Sequence, residues 1–250
     1  MKQIPKSEIF SLFSILAGLG GMAMQTWLFS TTDHKGLLTH GHPSAILSFL
    51  LLAGIVAANV FYLKTAKTGG LYDHLFPKST VAAVGSFLAA AGFAVAAMTP
   101  VATGILGILV KVFGILTVAG LVMGGYNRLQ GKRPNCLGYG AVSVFLIFRT
   151  LVFCQGWSAE VQIERFFFPL LGSLGLLMAA YYRASLVINA KDCRHYLFFR
   201  QFSLFCCLLS LAGGDRIFYL AGAVWMVTDY CIPDTYGKYA QQGGNPDVPA

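Results

Sequence analysis

Long apolar segments dominate this sequence and determine what it can fold into. A helix that crosses a membrane needs about 20 consecutive, mostly apolar residues. Six segments meet this requirement clearly, at 9–29, 44–63, 80–98, 103–126, 137–157 and 166–188. Two shorter segments, at 196–213 and 217–232, each contain a charged residue, Arg200 and Asp229 respectively. The sequence therefore predicts an all-α, polytopic integral membrane bundle of about eight transmembrane helices.

The composition excludes several other classes of protein. Of the 250 residues, 56% are hydrophobic and only 11% are charged, whereas soluble domains contain about 25% charged residues. A soluble globular protein, a disordered chain and a disulfide-rich secreted protein are all inconsistent with these values. The net charge of +8 would suggest a nucleic-acid partner in a soluble protein, but the apolar segments argue against one. We expect membrane lipids to be the main partners.

The lysines and arginines predict the orientation of the chain, because they accumulate in cytoplasmic loops. With eight crossings and a cytoplasmic N-terminus, 13 of the 18 basic residues fall in cytoplasmic segments. The outer loops contain Lys35, Arg165 and Arg216, and Lys111 and Arg149 fall inside the membrane. The C-terminus is then also cytoplasmic, in agreement with Lys238. We expect a multi-pass protein of the cell membrane.

The chain is predicted to form one domain. Residues 1–233 make up the transmembrane bundle, and the polar residues 234–250 form a disordered cytoplasmic tail. The first segment is predicted to stay attached as a helix rather than to be cleaved as a signal peptide, because it has full spanning length. The segments at 80–98 and 103–126 are rich in glycine and alanine, so we expect them to pack as an antiparallel hairpin at the centre of the bundle.

Two cations inside the membrane are the leading candidates for a binding site. Lys111 and Arg149 lie about 10 and 12 Å below the outer ends of their helices, at 1.5 Å per residue. Lys111 shares a helix face with Gly104, Gly107 and Gly114, which predicts that its side chain points into the bundle. No acidic residue is predicted in this layer; the alternative is that an acidic residue of an outer loop folds inward (Glu160, Glu164 or Asp215) or that backbone carbonyls satisfy both cations. Because ionisable groups in the membrane suggest a functional site, we predict an outward-facing site for an anionic small molecule.

A second group of polar residues is predicted near the cytoplasmic side. Asp229 lies close to the inner end of the last segment, at the depth of Asn59 and Arg200. A structural salt bridge between Asp229 and Arg200 is the interpretation that we prefer. The alternative is that Asp229 couples a proton or an ion to transport.

The first outer loop contains potential metal ligands. Asp33, His34, His40 and His42 supply the imidazole and carboxylate groups that bind zinc or copper. The alternative is an ordinary turn, in which His42 precedes Pro43 at the start of the second helix. No P-loop, GxSxG or CxxC motif is present, and no cofactor is expected.

Three functions remain open on these observations. The first is a small transporter or binding protein for an anionic or amphipathic solute, with Lys111 and Arg149 as anion-binding groups. The second is a membrane-embedded enzyme that modifies lipids by means of the outer histidine loop. The third is a structural or accessory subunit, in which the polar groups hold the bundle together.

Overall fold

The computed structural model describes residues 6–31, 42–65, 72–99, 104–157, 163–188, 193–213 and 215–231. Within these ranges the chain contains helices and no strands, which confirms the all-α prediction. The helices are α1 (Lys6–Ser30), α2 (Pro43–Thr65), α3 (Tyr72–Leu75), α4 (Thr80–Met98), α5 (Gly104–Gln130), α6 (Cys136–Trp157), α7 (Ile163–Val187), α8 (Cys193–Ser210) and α9 (Arg216–Thr228).

Six of the described helices, α1, α2, α4, α5, α6 and α7, are long and apolar enough to cross a membrane. The two that correspond to the last predicted segments are different. Helix α8 is 18 residues long and carries polar residues along its length. Helix α9 has 13 residues, which span about 20 Å, whereas the hydrocarbon core is about 30 Å thick. The short helix α3 was not predicted.

Polar residues and glycine define several helix ends. The side chains of Ser79 and Asp215 accept hydrogen bonds from backbone amides in the first turns of α4 and α9. His42 does the same for α2, where Pro43 occupies the first helical position. Helix α5 ends at Gln130. The next residue is Gly131, whose φ of 72° favours glycine, and the amide of Lys132 donates to the Asn127 carbonyl.

Contacts between glycine and its neighbours show how the helices run relative to one another. Helices α4 and α5 are antiparallel, because Gly114 contacts Ala97 and Gly125 contacts Ala83. The pairs α5–α6, α7–α8, α4–α9 and α1–α2 are antiparallel by similar contacts, and α7 and α9 are parallel. All helices therefore share two common ends. We call them the Asp229 end and the Asp215 end, after the residues that flank α9.

Helix α8 lies at the centre of the bundle. It packs against α1, α2, α7 and α9, and its polar residues Arg200, Gln201 and Ser203 are buried. Helix α5 lies at the edge, against α4 and α6. The predicted α4–α5 hairpin is confirmed, but its predicted central position is wrong. Polar side chains are costly in contact with lipid, so α8 occupies the interior and the more apolar α5 faces outwards.

The contact between α5 and α6 gives a first testable prediction. A Cβ atom on Gly120 would lie 2.6 Å from the carbonyl oxygen of Gly138, whereas one on Gly54 in α2 would meet nothing within 4 Å. We expect Gly120→Ala to lower the free energy of unfolding by about 1–3 kcal/mol, because backbone cannot move aside as a side chain can. Gly54→Ala is the matched control and should leave stability unchanged or raise it by up to about 1 kcal/mol, because alanine favours the helix. Thermal unfolding in detergent measures both, and equal stabilities would contradict the close contact.

Candidate functional site

The C-terminal end of α9 is surrounded by arginines from three other helices. A helix end leaves backbone carbonyls without partners, and these need donors when no water is present. Arg200 of α8 donates from Nε to the Met226 carbonyl at 2.7 Å and from Nη2 to the Val227 carbonyl at 3.2 Å. Arg128 of α5 donates from Nη2 to the Tyr230 carbonyl at 2.9 Å. Positive charge at this position also complements the helix dipole.

Asp229, which caps the C-terminus of α9, pairs with Arg183 of α7. Two nitrogens of the guanidinium contact the carboxylate, Nε to Oδ2 at 2.6 Å and Nη2 to Oδ1 at 3.2 Å. The Tyr196 hydroxyl donates to the same Oδ2 at 2.7 Å. Arg183 is 0% exposed and Asp229 is 3% exposed. Such a two-point contact is the strongest geometry for an arginine–carboxylate pair.

The predicted salt bridge between Asp229 and Arg200 is therefore wrong in its partner. Both arginines lie near the depth of Asp229, but Arg200 is bonded to the carbonyls one turn earlier on α9. Arg183 reaches the carboxylate because α7 and α9 run parallel and end side by side. Asn59 is buried, at 2% exposed, on α2.

Aromatic rings surround the guanidinium of Arg183. Its Cζ atom lies 3.6 Å from the centre of the Phe76 ring, 5.0 Å from Tyr72 and 4.9 Å from Tyr139. Arg128 also lies over the Phe76 ring, with its Cζ atom 5.0 Å from the ring centre. The two guanidinium groups are thus neighbours that share one aromatic ring. Aromatic faces attract cations in sites from which water is excluded.

We call Arg128, Arg183, Arg200 and Asp229 the arginine cluster. It combines three guanidinium groups with one carboxylate, and all four side chains are buried. Several of its donors have no hydrogen-bond partner within the described part of the chain. These are Nε and Nη1 of Arg128 and Nη1 of Arg183, together with Nε1 of the adjacent Trp225, whose ring stacks on Tyr139. Chemically, this arrangement offers several hydrogen-bond donors and positive charge to an oxyanion.

At the opposite end of α9, Arg149 of α6 forms an ion pair with Asp215. Asp215 also accepts a hydrogen bond from the Phe218 amide as the N-cap of α9, and Arg149 lies 5.5 Å from the centre of the Phe218 ring. Arg149 is buried, as a cation inside the membrane requires, but its charge is matched by a carboxylate. This pair agrees with the alternative in which an outer carboxylate, here Asp215, folds inward to neutralise Arg149.

Lys111 does not share the environment of Arg149. Its side chain is exposed, although Gly107 and Gly114 on neighbouring positions of α5 are buried. The prediction that Lys111 points into the bundle is wrong. The glycine face packs so closely on α4, with Gly114 against Ala97, that no lysine side chain fits there. At the edge of this face, a lysine extends along the helix and brings its charge towards the membrane surface.

The predicted metal site falls mostly outside the described residues, which do not include Asp33, His34 and His40. His42 is described and acts as a helix cap. Its Nδ1 lies 2.6 Å from the Ser44 hydroxyl, and its ring contacts Trp27 edge to face. Among the residues that the structure describes, no group of three metal-binding side chains occurs. Metal binding by the outer loop stays a prediction.

Arg128, Arg183 and Tyr196 were missed as site residues by sequence reasoning. The two arginines were counted among the cytoplasmic charges that set the orientation. The only local signal is that Arg183 follows two tyrosines, Tyr181 and Tyr182, at the end of a long apolar segment.

Comparison with known proteins adds no further assignment. No family model, no curated protein and no solved structure matches this chain. The geometry of the buried polar groups is therefore the basis for a functional proposal.

The two aspartates that flank α9 give a second testable prediction. Asp229→Asn leaves Arg183 buried without a counter-charge, so we expect a loss of about 3 kcal/mol or more in the free energy of unfolding. Asp215→Asn is the matched control at the other end of the same helix. Asp215→Asn also removes the counter-charge of a buried arginine, Arg149, but Asp215 is 28% exposed, so water reaches this pair and we expect a smaller loss of about 1–2 kcal/mol. Chemical unfolding in detergent measures both, and equal losses would contradict the difference in burial.

Proposed function

We propose that the protein crosses the membrane eight times, with α1, α2 and α4–α9 as the crossings. The directions of the helices support this number, because each of the six pairs whose direction is given above runs as alternating crossings require. The Asp229 end also carries most of the described basic residues: Lys64, Lys78, Arg128, Lys132, Arg133, Arg183, Arg194 and Arg200. By the positive-inside rule, the Asp229 end faces the cytoplasm, and so do the N-terminus and the C-terminus. We propose the cell membrane as the location of the protein.

We propose further that the protein binds an anionic solute at the arginine cluster, as a small transporter or binding protein. The observation that carries this proposal is the set of buried guanidinium donors without partners on Arg128 and Arg183. A buried cation costs several kcal/mol unless it is paired, and the carboxylate of Asp229 offsets one of three. A phosphate or carboxylate group would supply both the missing charge and the missing acceptors.

Arg128 is the residue whose charge is least accounted for. Arg183 is paired with Asp229, and Arg200 donates to two carbonyls at the end of α9. Arg128 has one carbonyl partner, through Nη2, while Nε and Nη1 have none among the described residues. The proposed anion therefore binds between Arg128 and Arg183. This position lies in the cytoplasmic half of the membrane and differs from the outer site expected around Lys111 and Arg149.

A second candidate function is favoured by a different observation. Arg149 pairs with Asp215 and Arg183 pairs with Asp229, so two ion pairs bind α9 to its neighbours. In a structural or accessory subunit, holding the bundle together is all that these arginines need to do. The two candidates differ in whether an anion binds at Arg128.

The topology can be checked by cysteine labelling in intact cells. Gln130 and Arg216 are both exposed and lie at the Asp229 end and the Asp215 end respectively. We expect a membrane-impermeant maleimide to label Arg216→Cys and to leave Gln130→Cys unlabelled until the cells are lysed. The unmodified protein serves as the control for its six native cysteines. Labelling of both variants, or of Gln130→Cys alone, before lysis would contradict the proposed orientation.

Anion binding can be tested in detergent with inorganic phosphate and acetate as probes, at constant ionic strength. We expect one or both to raise the unfolding temperature with saturation, and Arg128→Gln to weaken the affinity about tenfold or more, because hydrogen bonds to charged groups are lost. Lys64→Gln, an exposed position at the same end, is the matched control. If no anion stabilises the unmodified protein, the structural candidate is favoured. If an anion binds, its uptake into proteoliposomes then separates a transporter from a binding protein.

A further inference from the structure

A groove of about 200 Å³ lies between α5 and α6, near the Asp229 end. Gly120 and Gly138 bring the two backbones into contact at its base, since a Cβ atom on Gly120 would collide with Gly138 and one on Gly138 would lie only 3.1 Å from the Gly120 Cα atom. Leu116, Met123 and Leu137 form its apolar walls and are exposed. The groove is on the outer surface of the bundle, and its position between two membrane-spanning helices means that lipid surrounds it.

One end of the groove meets a basic loop. Pro134 and Asn135 line this end, and Lys132 and Arg133 immediately precede them as exposed residues. Exposed Lys78 from the start of α4 is close by, because a Cβ atom on Gly131 would lie 3.7 Å from the Lys78 Cβ. The sequence contains no acidic residue at 126–136, and Asp73 is the one acidic residue in the segment that leads to Lys78. Three basic residues against one acidic residue give this corner of the molecule a net positive charge, at the depth where lipid headgroups lie.

The dimensions of the groove distinguish between possible occupants. A helix with its side chains is about 10 Å across. A groove with a volume of only 200 Å³ is too small to hold it. A single hydrocarbon chain can enter it and contact the glycine backbone at the base. A basic site next to a groove between helices attracts anionic lipids in particular, because each lysine or arginine near the surface adds a favourable charge interaction.

We infer that the groove between α5 and α6 is a binding site for one anionic phospholipid of the cytoplasmic leaflet. An acyl chain lies along Gly120 and Gly138, and the phosphate lies next to Lys132 and Lys78. This site is separate from the arginine cluster and does not depend on the function proposed for it.

Binding can be measured on the full chain in detergent, by native mass spectrometry and by unfolding temperature, with phosphatidylglycerol as the probe. We expect one phosphatidylglycerol to be retained and to stabilise the protein. Phosphatidylcholine tests whether the charge matters, and glycerol 3-phosphate tests whether the acyl chain matters. Retention of phosphatidylcholine with equal affinity, or equal stabilisation by glycerol 3-phosphate, would overturn the proposal.

Two independent variants test the two parts of the site. Ala119→Phe fills the groove from α5, and Val122→Phe, on the same helix but outside the groove, is its matched control. The double variant Lys78→Gln, Lys132→Gln removes charge at exposed positions, and Lys64→Gln is its control. We expect Ala119→Phe to abolish lipid retention and the double variant to weaken affinity about tenfold, while both controls bind normally. Unchanged binding by either test variant would overturn the assignment of the corresponding part.

Discussion

The short length of α9 is the constraint on which the rest of the bundle depends. In the proposed arrangement of eight crossings, its 13 residues are too few to reach both membrane surfaces, so at least one end of the helix lies where water is scarce. Backbone groups at such an end must be satisfied by the protein itself, because an unpaired polar group in hydrocarbon costs several kcal/mol. Arg200 and Arg128 donate to carbonyls at the Asp229 end of α9. Arg183 and Arg149 pair with the two aspartates that flank the helix. The buried guanidinium groups of the bundle are therefore found around the ends of α9.

The requirement also determines which helices can be neighbours of α9. Arg200 reaches the last carbonyls of α9 from α8, so α8 must lie beside it, and the remaining polar residues of α8 are then buried as well. On the other side, Gly85 and Gly92 of α4 contact Thr228 and Ala221. Close approach of this kind is how helices associate in lipid, where apolar burial contributes little. The fold of the centre and the arrangement of the arginine cluster thus have the same origin.

Hydropathy predicted the membrane helices well where the helices face lipid, and less well in the centre. The six long apolar helices were identified because their exposed sides must be apolar. Helix α8 is almost completely surrounded by protein, and α9 exposes only one face, with Ile217, Leu220 and Val227. The length and polarity of these two helices are therefore determined by packing more than by the thickness of the membrane. The depth of Asp229 along its helix predicted that it forms a salt bridge, but Arg183 and Arg200 lie at a similar depth. Only the relative direction and rotation of α7, α8 and α9 decide which arginine meets the carboxylate.

Counting charges had a similar limit. A basic residue near a helix end contributes to orientation whether it extends into water or turns back into the bundle, and the sequence pattern is the same in both cases. Lys132 is exposed and Arg128, one turn earlier, is buried over Phe76. The glycine face led to the opposite error for Lys111, which was predicted to point into the bundle and is exposed. Glycines that allow two helices to pack closely leave no space for a long side chain.

The contacts of each arginine separate the structural part of the cluster from the part that is available for binding. Closing the end of α9 needs donors for its carbonyls and a counter-charge for Asp229, and Arg200 and Arg183 supply these. Arg128 adds a third guanidinium, which donates one hydrogen bond to the Tyr230 carbonyl. A neutral donor would make this hydrogen bond at a lower cost of desolvation than an arginine. A buried charge beyond what the fold requires is what an anion-binding site needs. The surplus charge at Arg128 therefore favours a binding protein over a purely structural subunit.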